Sequence, residues 1–379
     1  MEVKDIDRYK SAIVGAGCAG LTLAYHLINS ELHPSILLDP QSKRKDHIWS
    51  YWDDGHESLS VPRNFIKKKW ARWAIKTYDR SIFRCGNDFA YVAISSAEYE
   101  ASLIRKIESA NGKILRDKVI SATIKEGVNV LKLSTGIELE TETVFDSRPP
   151  VVSQGALYQH FVGWTIQSTT PIFDDSTAIL MDFRVSQEPG IHFIYLLPFS
   201  KTSALIESTV YSTQLLPTLW YEKQIRGYIE KHFPKSNWEI INTESGAIPL
   251  NRKHPQPPYG ISFGLNSGIM RSSTGYAFSQ ILFQINDLVT NIKRGDYHKT
   301  EIRSGATKLE TVMDKIFLNV LSQSPEIAPE VFAKVLESLR GDEFAQFMNG
   351  HCPISVKAKI INALPKTKFL KASIRSIFE

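Results

Sequence analysis

A glycine-rich turn near residue 15 could bind the phosphates of a dinucleotide. It reads Gly15-Ala16-Gly17-Cys18-Ala19-Gly20 and lies between an apolar stretch and a stretch typical of a helix. Glycines at this spacing permit a tight turn, close approach of the backbone to a pyrophosphate, and close packing of the helix on the strand. Asp39, which ends the next apolar stretch, could bind the ribose hydroxyls. The alternative is that Gly15, Gly17 and Gly20 serve packing alone.

The position of this turn favours FAD, by analogy with other flavoproteins. The sequence shows no second glycine motif of this quality, so we do not predict a separate nicotinamide-binding domain. Arg148 could contact the cofactor or could equally pair with Asp146. Further candidates for cofactor contact are Gly268, Arg271, Thr274 and Gly275.

One acid could carry proton chemistry. Glu207 lies among Leu205, Ile206 and Val210, in a stretch that is otherwise apolar or small. An apolar wall favours the neutral form of a carboxyl, which raises its pKa and allows it to donate a proton near neutral pH. The alternatives are that strand alternation turns Glu207 toward solvent, or that it pairs with an arginine.

Aromatic residues are concentrated in segments that we assign to the substrate side. Aromatic faces bury large areas and stabilise cations, although core packing is the commoner role of any single one. The candidates for substrate contact are Trp49, Tyr51, Phe161, Trp164, Phe183 and Tyr195.

The elements that would position these residues follow from hydrophobic periodicity. Residues 10–40 indicate a strand, a helix and a strand, and residues 113–145 indicate further strands. Residues 44–95 are rich in aromatic residues and show no regular period. Three strands with tight turns between residues 178 and 210 predict an antiparallel sheet, and helices are predicted beyond residue 300.

The predicted fold is therefore α/β, with a Rossmann-like FAD-binding domain of the glutathione-reductase type. An antiparallel sheet that binds substrate is inserted into this domain and would cover the isoalloxazine ring. The predicted ranges are 8–45, 96–150 and 260–300 for the FAD-binding domain, 46–95 and 151–259 for the substrate domain, and 301–379 for a helical C-terminal cap.

Composition and charge restrict the classes of partner. The 379 residues are 42% hydrophobic with a net charge of +5, too mild and evenly spread for nucleic-acid binding but compatible with an anionic membrane surface. The three cysteines lie far apart and match no zinc spacing, so we predict reduced thiols and no metal site. With no signal-peptide pattern and no apolar run of about 18 residues, we expect a cytoplasmic protein that does not span a bilayer.

The C-terminal stretch is basic and amphipathic. Its cationic residues, interleaved with apolar ones, are Lys357, Lys359, Lys366, Lys368, Lys371 and Arg375. This pattern is typical of a helix that lies on anionic lipid, so we expect peripheral membrane association. The alternative is an ordinary surface helix with solvated lysines.

Short motifs occur in a fixed order along roughly residues 10–370. Besides the glycine turn they include His47-Ile48-Trp49-Ser50, Gln159-His160-Phe161-Val162-Gly163-Trp164, Leu180-Met181-Asp182-Phe183-Arg184, Leu205-Ile206-Glu207-Ser208-Thr209, Glu244-Ser245-Gly246-Ala247-Ile248-Pro249 and Arg271-Ser272-Ser273-Thr274-Gly275-Tyr276-Ala277-Phe278. In this order they resemble the bacterial type of lycopene cyclase from carotenoid biosynthesis. Ser208, where relatives often carry a second acid, and Leu250, where methionine is usual, depart from the family pattern.

The resemblance implies FAD-dependent cyclisation of lycopene or a related linear carotene, an isomerisation without net redox change. FAD in such enzymes is reduced by NAD(P)H, an acid protonates the terminal double bond of the ψ end, and an internal double bond closes a β, ε or γ ring. Glu207 matches the family's catalytic glutamate, and Asp182 lies in a motif of the substrate side. The departure at Ser208 implies that Glu207 acts without an acidic neighbour.

Two other functions are compatible with the glycine turn. An FAD oxidoreductase, either a monooxygenase or an isoprenoid reductase, would consume NAD(P)H. Flavin hydroxylases, however, usually carry a Gly-Asp pair where this chain has Gly264-Leu265-Asn266-Ser267-Gly268. A non-enzymatic FAD-containing partner in a membrane carotenoid assembly would not need Glu207.

Overall fold

Two seven-stranded sheets form the framework of the protein, and the predicted α/β class is confirmed. The structure, a computed structural model, describes residues 8–41, 45–234, 236–296, 306–350 and 352–370.

The first part of the chain is rich in strands. Its elements are β1 (Arg8–Val14), α1 (Cys18–Leu27), β2 (Ser35–Leu38), β3 (Ile48–Asp53), α2 (Ser60–Arg63), β4 (Ile66–Trp70), β5 (Arg72–Lys76), β6 (Ser81–Cys85), β7 (Ala90–Ser95), α3 (Ser96–Ser109), β8 (Lys113–Leu115), β9 (Val119–Lys125), β10 (Val128–Leu133) and β11 (Glu138–Asp146).

The second part passes from strands to helices. Its elements are β12 (Val151–Val152), β13 (Tyr158–Ser168), β14 (Thr177–Asp182), β15 (Ile191–Pro198), β16 (Ser203–Ser212), α4 (Thr218–His232), β17 (Trp238–Pro249), β18 (Lys253–His254), β19 (Ile261–Ser262), α5 (Phe278–Lys293), α6 (Lys308–Gln323), α7 (Ala328–Glu337), α8 (Gly341–Met348) and α9 (Ile354–Ala363).

The glycine turn lies at the edge of the first sheet where the carboxyl ends of the parallel strands meet. Its order is β8-β2-β1-β11-β10-β9, with β19 beside the end of β11. β8, β2, β1 and β11 run parallel, whereas β9, β10 and β11 form an antiparallel meander. Helices α1, α3 and α5 pack together over one apolar core. Because both faces of a parallel sheet are covered, β2 is buried along its whole length.

The second sheet separates a helix-covered face from a face that lines a cavity. Its order is β17-β13-β16-β15-β14-β5-β6, antiparallel except for the pair β14 and β5. Successive side chains of a strand point to opposite faces. In β16, Ile206 packs in the cluster under α4, whereas Leu205 belongs to the core on the opposite face. Glu207 therefore points away from α4.

The aromatic-rich segment without a regular period contains five strands in its described part, residues 45–95. β3, β7 and β4 form a separate small sheet, whereas β5 and β6 join the edge of the second sheet. β7 is buried at every position, so no alternation of polar and apolar residues marks it. The domain boundaries stated above stay a prediction.

Buried ion pairs hold the C-terminal helices to the rest of the chain and to one another. Arg271 lies 2.9 Å from Asp314 of α6, and Lys357 of α9 lies 3.1 Å from Glu310 of α6. Leaving one member of a buried pair unpartnered costs about 3–5 kcal/mol, so these contacts fix the helices over the cavity.

Three lysines of the predicted basic C-terminal stretch have acidic partners, and its contact with a membrane stays a prediction. Lys357 is buried, and Lys359 and Lys368 bond Glu343 and Glu326 at 2.7 and 2.6 Å. Lys371 and Arg375 lie outside the described residues. Among the helices that the structure describes, none combines the length and apolarity needed to cross a bilayer.

Candidate active site

The glycine turn has the close packing that a dinucleotide site requires. Gly15 has φ of +99°, and a Cβ added there would lie 2.6 Å from the Ser147 hydroxyl. A Cβ at Gly20 would lie only 1.9 Å from the carbonyl oxygen of Gly15. The Ala16 amide donates a 2.7 Å hydrogen bond to Asp39. Since Gly17 begins α1 without a side chain that could cap it, the helix start fits a pyrophosphate.

Two arginines predicted to contact the cofactor are paired within the protein. Arg148 makes a 2.6 Å ion pair with Asp146 and lies over the Tyr259 ring. Arg271 is fully buried against Asp314. The structure thus gives both side chains an acidic partner within the protein, and their contact with the cofactor stays a prediction.

The three remaining cofactor candidates lie in two different places. Gly268 has a left-handed backbone at the end of a short 3-10 turn, with open space beside it. Thr274 and Gly275 line the cavity described next. Gly275 has φ of +71°, which favours glycine at this position.

A central cavity of about 800 Å³ connects the glycine turn with the second sheet. Its wall includes Cys18 from the turn and Glu207 from β16. Most of its lining is apolar, with aromatic side chains from both the sheet and the C-terminal helices. The latter are Phe317, Phe332, Phe344, Phe347 and Phe369.

Glu207 is the buried acid in this wall. It is 7% exposed, and its Oε1 accepts a 2.6 Å hydrogen bond from the Thr209 hydroxyl. Burial raises the pKa of Glu207 above the usual carboxyl range, and the Thr209 bond opposes this only in part. Glu207 is therefore suited to hold a proton near neutral pH and to release it into an apolar space.

Three tyrosines stand beside Glu207. Tyr195 is its direct partner on β15, and the hydroxyls of Tyr195 and Tyr276 each lie 2.6 Å from that of Tyr91. Burial raises the pKa of all three, so they remain neutral. Their rings offer electron-rich faces and their hydroxyls satisfy one another, which keeps this part of the wall polar without adding charge.

The predicted substrate residues divide into two groups. Trp49, Phe161 and Tyr195 line the cavity. Trp164 is an odd number of positions from Phe161 on β13, so it points to the opposite face of the sheet. There it packs near Trp238. Tyr51 is buried against Phe278, away from the lining.

Asp182 and Phe183 also lie outside the cavity lining. Phe183 is buried between Phe193 and Phe332. Asp182 is fully buried, bonds the Arg184 guanidinium at 2.6 and 2.8 Å, and accepts a 2.8 Å bond from the Tyr228 hydroxyl. The structure therefore gives Asp182 a role in holding α4 to the sheet.

Replacement of Asp182 by asparagine is expected to lower stability while leaving the cavity chemistry intact. Burial opposes ionisation, but the bonds from Arg184 and Tyr228 prevail and lower the pKa of Asp182. Its contribution is present above the pKa of an unfolded aspartate and is lost as pH falls through the lower folded value. We expect a loss of about 1–2 kcal/mol at pH 7 that vanishes in acid. Urea unfolding at several pH values measures this, and a pH-independent loss would contradict it.

Several wall residues were not singled out from the sequence. They are Glu244 on β17, Tyr91, Tyr276 and the aromatic residues of the C-terminal helices. Glu244 and Tyr276 lie inside motifs that resemble the family. No local sequence signal, however, shows that the side chain of Glu244 lies across β13 from Glu207, or that the Tyr276 hydroxyl meets that of Tyr91.

The structure changes the interpretation of Ser208, the position at which relatives often carry a second acid. It points to the α4 face and lies 3.0 Å from His192 Nε2. An acid at position 208 would face away from the cavity, so the identity of this residue does not decide whether Glu207 has an acidic neighbour.

A family model described as lycopene cyclase protein matches residues 11–372. The chain belongs to this family. Among curated relatives, the lycopene beta-cyclase of Pantoea ananas is 25% identical over 291 residues, 71% of each chain. The lycopene beta-cyclase of Paracoccus sp. (strain N81106 / MBIC 01143) is 24% identical over 295 residues, 74% of this chain and 72% of that one. The lycopene cyclase resemblance drawn from the motifs is confirmed.

Solved structures place this lycopene cyclase family member in a flavoprotein fold. A geranylgeranyl bacteriochlorophyll reductase-like protein from Thermoplasma acidophilum aligns with a TM-score of 0.60 at 12% identity, covering 97% of this chain and 98% of that one. A 2-methyl-3-hydroxypyridine-5-carboxylic acid oxygenase aligns with a TM-score of 0.57 at 12% identity, covering 92% and 98%. The predicted fold, with an inserted sheet and a helical C-terminal region, is confirmed.

Proposed function

We propose that this chain is an FAD-dependent lycopene beta-cyclase. It would convert the linear ψ ends of lycopene or a related carotene into β-ionone rings, giving gamma- and beta-carotene, as an isomerase of the intramolecular lyase class. The observation that carries the proposal is a single apolar cavity whose wall contains both the glycine turn and the buried carboxyl of Glu207. Family membership supports a carotene as the substrate.

FAD fits the residues that the structure presents. The turn at Gly15 and Gly20 leaves no room for a side chain, the start of α1 can receive the pyrophosphate, and Asp39 lies beside the turn. Reduced by an external NADH or NADPH, bound FAD would supply an electron-rich surface close to a developing carbocation. The arrangement of Cys18 and Glu207 around one cavity supports this placement.

The chain's own residues would supply the acid and the dry environment. Glu207 donates its proton to the terminal double bond, and an internal double bond then attacks the tertiary cation. Trp49, Phe161 and Tyr195 present aromatic faces that favour positive charge in a cavity whose lining is mostly apolar. Loss of a proton from the new ring completes an isomerisation with no net change of electrons.

Expression in a host that accumulates lycopene tests this function. We expect cyclic carotenes of the same mass as lycopene, identified by chromatography and mass spectrometry. Products with ε or γ rings would correct the ring type. Products that gain oxygen or hydrogen, formed with stoichiometric NAD(P)H use, would replace the proposal with an FAD oxidoreductase.

We propose further that the cavity opens onto a membrane surface on the cytoplasmic side. Four lining residues on α6, on α9 and in the segment after α9 are exposed apolar side chains. They are Leu309, Val312, Ile361 and Leu370. A carotene dissolves in lipid rather than water, so an apolar rim would let it pass directly from the bilayer.

The double substitution Leu309→Ser and Val312→Ser is expected to weaken binding to lipid vesicles about tenfold. Co-sedimentation with vesicles of phosphatidylglycerol and of phosphatidylcholine measures it and separates the apolar from the ionic contribution. Ile124→Ser is the matched control, because Ile124 is equally apolar and 75% exposed on β9 of the other sheet. Equal binding by both variants would refute an interface at the rim.

A further inference from the structure

A second buried acid stands directly across a glycine from Glu207. Gly163 of β13 is the register partner of Glu207 on β16 and, on its other side, of Glu244 on β17. Residues directly opposite one another in antiparallel strands point to the same face. Glu207 and Glu244 therefore lie on the cavity face of the sheet, and both line the cavity.

Gly163 leaves the space in which the two side chains approach each other. A Cβ at this position would lie 3.1 Å from Cγ of Glu244, 3.1 Å from Cδ1 of Leu205 and 3.5 Å from Cβ of Glu207. The side chains of the two acids thus lean over the bare backbone of β13. Any side chain at position 163 would stand between them.

Each carboxyl is also fixed by one donor. The Ile48 amide donates a 2.9 Å hydrogen bond to Oε2 of Glu244, and the Thr209 hydroxyl bonds Oε1 of Glu207. Neither acid faces an arginine in these contacts, and Glu244 is 4% exposed. With one oxygen of each group held by a donor, the other oxygen is left to share or carry a proton.

The surroundings favour retention of a proton by the pair. Burial is the largest cause that raises the pKa of each acid, and the charge of Glu207 raises the pKa of Glu244 further. For Glu244, Asp46 acts in the same direction, whereas Lys67 and the Ile48 amide oppose it. The other titratable groups on the cavity wall nearby are His47, Tyr91, Tyr195, Tyr211 and Tyr276.

We propose that Glu244 is the second member of a carboxyl pair that holds the catalytic proton jointly with Glu207. It acts as a positioning residue, because a proton that the pair shares stays beside Glu207 at a pH at which a lone buried carboxyl would already have lost it. This inference rests on the proposed cyclase function and adds to it an acidic partner that the motif around Glu207 does not contain.

The proton balance of one cycle closes within the pair. The O–H bond of Glu207 breaks as the π electrons of the terminal double bond form a new C–H bond, leaving the carboxylate and a tertiary carbocation. The internal double bond then forms the ring C–C bond. A ring C–H bond breaks, its electrons become the ring double bond, and the proton returns to a carboxylate of the pair, which exchanges it with solvent before the next turnover.

The pH profile of Glu244→Gln tests the inference. A pair gives up its protons in two steps, and the last one leaves at the higher value, whereas a single carboxyl has one step only. We expect cyclisation by Glu244→Gln to persist at low pH, with the alkaline decline of activity moved to lower pH by about one unit or more. A merely structural role would lower activity at every pH without moving the decline, and that result would overturn the inference.

A second measurement does not depend on activity. Infrared spectra of protein with isotope-labelled glutamate, recorded as a function of pH, follow the band of the protonated carboxyl groups. The spectrum of Glu207→Gln is subtracted from that of the wild type to isolate the band of the pair. Two coupled steps are expected in the wild type, and a single earlier step is expected for Glu207 in Glu244→Gln. Independent titration of the two acids would overturn the inference. If the pair titrates jointly but the host makes no cyclic carotene, the cyclase function fails and the pair stands.

Gly163→Ala provides a variant that keeps both acids. Its methyl group would stand between their side chains, so we expect the two steps of the infrared titration to move closer together. Gly227→Ala on α4 is the control, because a Cβ there meets nothing within 4 Å. Identical titrations of Gly163→Ala and the control would count against contact across Gly163.

Discussion

Glu207→Gln is expected to lower the rate of carotene cyclisation by about 10²–10⁴-fold, the range that a positioned general acid contributes. Glutamine keeps the size of the side chain and can still accept the Thr209 hydrogen bond. It has no acidic proton to transfer to the terminal double bond. The variant should therefore fold, bind FAD and accumulate unconverted substrate. Turnover of lycopene by purified protein, with FAD content measured by absorbance, gives both quantities.

A matched control separates loss of the acid from general disturbance of the sheet. Glu239 lies on β17 but is exposed, so Glu239→Gln makes the same chemical change outside the cavity. It should retain full activity. Near-normal cyclisation by Glu207→Gln with FAD bound would show that another group is the acid.

Gly20→Ala is expected to abolish stable FAD binding. The added Cβ would lie 1.9 Å from the Gly15 carbonyl oxygen and 3.0 Å from its carbon, so either the turn or α1 must move. Overpacking of this kind costs about 3 kcal/mol, which corresponds to a loss of about 100-fold or more in affinity. The purified variant should lack flavin absorbance and cyclise no substrate.

Gly227→Ala again serves as the control, since it is a helical glycine with open space around it. It should bind FAD as the wild type does. Isothermal titration calorimetry with FAD measures the affinity of both variants for the cofactor. Unchanged affinity in Gly20→Ala would mean that the dinucleotide does not use this turn.

The sequence was sufficient for the nucleotide half of the fold because its signals are local. The glycine turn, helix α1 and the strand that precedes Asp39 each have a recognisable pattern within a few residues. The acid at Glu207 was also accessible from the sequence, because one carboxyl in an apolar strand stands out. The motifs indicated the family, which the match to residues 11–372 confirms.

The parts of the site that the sequence did not predict depend on pairing between distant segments. Glu244 meets Glu207 only because β13 pairs with β16 on one side and with β17 on the other. Phe161 reaches the cavity and Trp164 does not, since the phase of β13 is set by its partners rather than by its own composition. Likewise, the sequence shows that Arg271 and Lys357 are cationic but not which buried acids they meet, because their partners come from distant segments.

The central claim is that this cavity adds a proton to a carotene and later removes a different one. Purified protein with FAD, an NAD(P)H-reducing system and lycopene in vesicles should be incubated in deuterium oxide. We predict a cyclic product that carries one deuterium for each ring formed, without NAD(P)H use in proportion to product. A product without deuterium, or one that gains oxygen or hydrogen with matching NAD(P)H consumption, would contradict acid-catalysed cyclisation.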